Sequence, residues 1–164
     1  MVSETKNLTQ TLSREAVKRA GDFVAELEHC VLNPGDEEFF LNLRKSVEDF
    51  NKAMERPLIG PDMIAFYYDQ MIDNFVAALR HYGYVSATAR DYIYARETVQ
   101  ALCYKFDGIY RTYTGDNASQ VVITNTANTR NKILCKVYTG CIPTEEEILE
   151  LDNLIKICEQ VVIA

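Results

Sequence analysis

The stretch Thr88–Gly115, TARDYIYARETVQALCYKFDGIYRTYTG, decides the fold. Its apolar positions Tyr92, Ala95, Val99, Leu102, Phe106, Ile109 and Tyr113 recur at alternating steps of three and four. That spacing puts every member on one face of a helix. Thr88 and Asp91 stand at capping-box spacing, and Gly115 can take the left-handed conformation that closes a helix. Roughly 27 residues at 1.5 Å rise predict a rod of about 40 Å.

A second stripe, on the opposite side, runs Arg90, Tyr94, Glu97, Ala101, Tyr104, Gly108, Arg111. A purely solvated face would carry mostly charge. This one has two aromatics with small residues beside them, which leaves room for another surface to come close. Three readings follow. The helix is central and packs on both sides, or the stripe binds a partner or a second copy, since Tyr and Arg are enriched at such surfaces, or it is plain surface.

Around this helix the chain reads as an all-α, single-domain bundle of five or six helices. Residues 1–12 read as a loose N-terminal tail and 13–164 as the helical domain. Ser13 is the expected cap of a helix over 14–32, with the stripe Val17, Ala20, Val24, Leu27, Val31, stopped by Asn33-Pro34-Gly35. Asp36 is the expected cap of the next helix, whose stripe is Phe40, Leu43, Val47, Phe50, Met54. Pro61 opens a third, over 61–82, apolar nearly all round and therefore expected to be buried, with Gly83 closing it. Residues 116–131 are rich in Thr, Asn and β-branched residues, and the helix weighed there runs over 119–138. QVVIT could be a strand, but a lone strand has no partner, so a helix with Ile123, Ala127, Leu134 and Val137 inward and Arg130 as the odd member is preferred. Thr144-Glu-Glu-Glu147 is a capping box opening a last helix with the stripe Ile148, Leu151, Ile155, Cys158, Val162. The apolar end VVIA is expected to dock on the body.

At 164 residues the chain can bury a core without staples. The net charge of −7 argues against general affinity for nucleic acid or an anionic membrane surface. Five cysteines without a CxxC read as reduced thiols, and the polar start MVSETKNLTQTL has no apolar leader core, so a cytoplasmic protein is expected. His29 and His81 are the only histidines, and neither has metal-ligand spacing; no metal or cofactor is expected. Asp69, Asp73 and His81 are the sole acid–base candidates, and no motif names a reaction.

The expected function is therefore a non-enzymatic, self-associating helical interaction module using Arg90, Tyr94, Ala101, Tyr104, Gly108 and Arg111. The alternative is a small-molecule sensor. Seven of the ten tyrosines fall between Tyr82 and Tyr113, and Tyr67, Tyr68, Tyr82 and Tyr92 could line a pocket between the third and fourth helices.

Overall fold

The computed structural model of the chain describes the backbone of residues 2–113 and 117–163, and the side chains of 14–113 and 119–161. Among the described residues every regular element is helical and no strand occurs. In order these are α1 (Val2–Glu28), α2 (Glu38–Met54), α3 (Pro61–His81), a 3-10 turn (Tyr82–Tyr84), α4 (Ala87–Arg111), α5 (Asn117–Tyr138) and α6 (Glu145–Ile163). The chain sorts into two compact units, Met1–Ile93 with Thr139–Cys141, and Tyr94–Tyr138 with Ile142–Ala164. The start of α4 thus belongs to the first unit and the remainder to the second.

In the first unit, α1 is helical from Val2, well ahead of the cap expected at Ser13, because nothing in VSETKNLTQTL breaks a helix. The side chains of 1–13, Ser13 among them, lie outside the described residues. At its other end α1 stops at Glu28 rather than near residue 32. The amides of His29 and Cys30 turn back to the carbonyls of Glu26 and Leu27 in a tightened last turn, and Val31 is 88% exposed rather than part of the stripe. Pro34 bars the helical region to Asn33, and Gly35 turns the chain at φ +81°.

The faces of α2 and α3 are narrower than the sequence suggests. On α2 the buried stripe is Phe40, Leu43, Ser46, Phe50 and Ala53, so Met54 rotates out into solvent. On α3, Tyr68, Met71, Ile72, Phe75 and Leu79 are buried, but Met63, Phe66, Asp69 and Asp73 are exposed. The expectation of a wholly buried third helix is corrected: only one side of α3 faces the core, where Phe75 packs 5.8 Å from Phe23. Gly83 closes nothing in the left-handed region. It sits in the 3-10 turn, where a Cβ would press on Ile93.

The cap of α4 also differs from the expected one. Ser86, not Thr88, is the capping residue: its hydroxyl accepts from the Ala89 amide at 3.0 Å. The Thr88 hydroxyl donates instead to Glu26 of α1 at 3.1 Å, and Ser86 donates to the same carboxylate at 3.1 Å. Thr88 matched the pattern equally well, but Ser86 lies one residue before the first helical one. Gly115 lies outside the described residues.

In the second unit, 117–138 is helical, as preferred over a strand. Its buried positions are Ser119, Ile123, Thr126, Ile133 and Val137, a three–four alternation that passes through half-buried Arg130. Thr126 fits because its hydroxyl donates back to the Val122 carbonyl at 2.8 Å and lies 3.1 Å from the Cys158 thiol of α6. The α6 box forms as read. The Thr144 hydroxyl accepts from the Glu147 amide at 3.1 Å, and Glu147 accepts from the Thr144 amide at 3.0 Å. Leu151, Ile155 and Cys158 are fully buried, Val161 is exposed, and Val162 with the rest of the VVIA end is outside the described side chains.

Candidate functional site

The second stripe of α4 lies bare. Within the second unit, Tyr94 is 74% exposed and Tyr104 79%, and Glu97, Ala101, Gly108 and Arg111 are all exposed. The opposite side of the same helix holds Ala95, Val99, Cys103, Phe106 and Ile109 in the core. Within the second unit this helix is packed on one side only. A Cβ placed on Gly108 would meet nothing within 4 Å, so the space over the small residues is open. Arg90, the remaining expected member, belongs to the first unit. It is exposed, and its Nε donates to the Gly83 carbonyl at 3.3 Å.

Beside this face a cleft of about 200 Å³ opens between α4 and α5, lined by Gln100, Cys103, Tyr104, Asp107, Arg130, Leu134 and Tyr138. Arg130 crosses it. One terminal nitrogen donates to Asp107 at 3.1 Å and the other to Asn131 at 3.0 Å, while its buried Nε has no acceptor. Tyr138 is half exposed and carries the Arg96 guanidinium 5.7 Å over its ring. Burial pushes the Cys103 thiol up; the nearby Arg130 charge opposes this and Asp107 adds to it. A buried thiol held protonated is a packing group rather than a nucleophile.

The four tyrosines of the sensor reading are placed differently. Tyr68, Tyr82 and Tyr92 are buried core residues and Tyr67 is half-buried. None of them lines the α4–α5 cleft.

His81 and the aspartates are also separated. Asp69 and Asp73 face solvent, whereas His81 Nε2 meets Asp36 Oδ1 at 2.5 Å and stacks on Phe39 at 4.3 Å. Asp36 does not cap α2 as expected. Glu37 occupies the cap position and offers no side-chain bond. The amide that a cap would satisfy, on Phe40, donates instead to the Tyr82 hydroxyl at 2.9 Å, and that hydroxyl donates to the Asp36 carbonyl at 2.9 Å. Tyr84 completes the clasp, donating to Asp36 Oδ2 at 2.6 Å. Sequence reasoning missed this cluster, whose members are more than forty residues apart.

The clasp and the α6 cap both carry a pH dependence. The hydrogen bonds from Tyr84 and then His81 hold the Asp36 carboxyl below its ordinary range. Burial alone would raise Glu147, but the Lys136 contact at 2.6 Å and the Thr144 bonds outweigh it and leave Glu147 lowered. A lowered carboxyl contributes stability that is complete above its unfolded value, near pH ~4, and is lost as pH falls through the folded value. Denaturant midpoints followed from pH 7 to pH 3 should fall below pH ~4. The fall should be shallower in Asp36→Asn, which also starts lower at pH 7. Parallel curves for the two proteins would contradict the assignment.

No known protein family, curated protein or solved structure matches the chain. Among the described residues, no three His, Cys, Asp or Glu side chains gather to hold a metal ion. No helix among them is long and apolar enough to cross a membrane.

Proposed function

We propose that this chain is a helical protein-interaction module that self-associates through the exposed face of α4. The observation that carries this reading is the state of that face in the second unit. Two tyrosines about 15 Å apart along the axis stand largely in solvent, with Ala101 between them and Gly108 beyond, and a Cβ on Gly108 would meet nothing within 4 Å. Large rings beside small residues give a surface of knobs and holes, which supports close helix–helix approach.

Ala101→Arg and Gly108→Arg test it. Both positions are exposed, so the folded chain tolerates either, and Gly108→Arg gains up to ~1 kcal/mol of helix propensity. The long side chain blocks the approach of a second helix. Each variant should keep the wild-type helix content by circular dichroism and weaken association at least ~10-fold by light scattering after size exclusion. Two variants that associate like the wild type would end the proposal.

A further inference from the structure

Between Glu97 and Arg111 the α4 face has residues of matching size and opposite charge on either side of Tyr104, and on that ground we infer that the second copy lies antiparallel across it, centred on Tyr104. This rests on the self-association proposed above and specifies its register. Outward from Tyr104 the face has a small residue on each side, Ala101 and Gly108, and then a charge on each side, Glu97 and Arg111. The two charges lie seven residues before and seven after the centre, one acid and one base. At about 100° per residue the five positions fall within roughly 80° of arc, and Glu97 and Arg111 stand about 21 Å apart along the axis.

A two-fold axis at the level of Tyr104, perpendicular to α4, sets the positions of Glu97 and Arg111 opposite each other and brings Ala101 and Gly108, three before and four after the centre, to within about one residue rise of each other. Glu97 of one copy then meets Arg111 of the other, twice. Ala101 meets Gly108, twice, which allows the helix axes to approach closely. Tyr104 meets its own counterpart, where two rings can stack offset. A parallel arrangement would instead set Glu97 against Glu97 and Arg111 against Arg111, which is repulsive. The other charges nearest the centre are already engaged, Lys105 with Glu159 of α6 at 3.0 Å and Asp107 with Arg130 of α5 at 3.1 Å. Among the described residues Glu97 and Arg111 make no such pair, so their charges are available to the second copy. The contact is isologous and closes at two copies.

The test uses the full chain in two charge-reversed forms, Glu97→Arg and Arg111→Glu, read by sedimentation velocity with one partner fluorescently labelled. Alone, each variant sets like charges opposite each other and should associate at least ~10-fold more weakly than the wild type. Mixed in equal amounts, they pair opposite charges at both contacts and should form a mixed dimer of near wild-type strength. The double variant should regain self-association. If either single variant associates like the wild type, or the mixture stays monomeric, the antiparallel register is overturned. When that happens while Ala101→Arg still abolishes association, the register alone falls. A wild type that remains monomeric at every concentration overturns both.

Discussion

Gly140→Ala is expected to destabilise the first unit by about 2–5 kcal/mol. Two separate terms add. Gly140 has φ +83°, a conformation in which a Cβ crowds the following carbonyl, costing about 1–2 kcal/mol. The new methyl would also strike the Phe75 ring, which is packed against Phe23 in the core and cannot swing away without opening a void. Forcing a methylene into such a site costs about 1–3 kcal/mol more. The two terms separate in a double variant. Phe75→Leu removes the ring edge, so Gly140→Ala measured in that background should retain only the backbone term. Urea unfolding followed by circular dichroism gives both differences. Equal effects of Gly140→Ala in the two backgrounds would show that the ring contact is not the cause.

Tyr82→Phe is the second large effect, at about 1–3 kcal/mol. The hydroxyl is the helix cap of α2 in all but sequence position. It accepts from the Phe40 amide, and it donates to the Asp36 carbonyl. Removing it leaves a buried donor unsatisfied while changing the shape of the core by a single atom. Burial, followed by the Phe40 contact and the neighbouring Asp36, Glu37 and Glu38 charges, acts on the phenol, with the net result that it is raised and stays protonated as a donor. Native-state hydrogen exchange should show the Phe40 amide losing protection by about 5- to 150-fold, the equivalent of the same free energy. An unchanged exchange rate at Phe40 with a lowered global stability would move the role of Tyr82 from capping to packing.

These examples also mark what the amino-acid order could and could not convey. The α6 cap was legible because Thr144 and Glu147 are three residues apart and satisfy each other. The α4 cap was misplaced by two residues because Ser86 and Thr88 offer the same chemistry, and the choice depends on Glu26 arriving from α1. The α2 cap was out of reach altogether, since its hydroxyl comes from Tyr82, forty-two positions on. Arg130 stood out as the odd member of an apolar stripe, but its partner Asp107 lies twenty-three positions away on another helix. Local patterns carry periodicity and near-neighbour bonds; tertiary bonds that replace them leave no local trace. The α4 face shows the same boundary. Its composition was visible from spacing, but whether it lay inside or outside the second unit depended on where α5 and α6 pack, and they leave it uncovered.

Native mass spectrometry of the gently purified chain tests the central claim most directly. Self-association predicts an assembly at an even multiple of 18.7 kDa with no added mass, and its loss in Ala101→Arg. A wild type that stays at 18.7 kDa across the concentration range would contradict it, and a monomer carrying a retained small molecule would transfer the function to ligand binding.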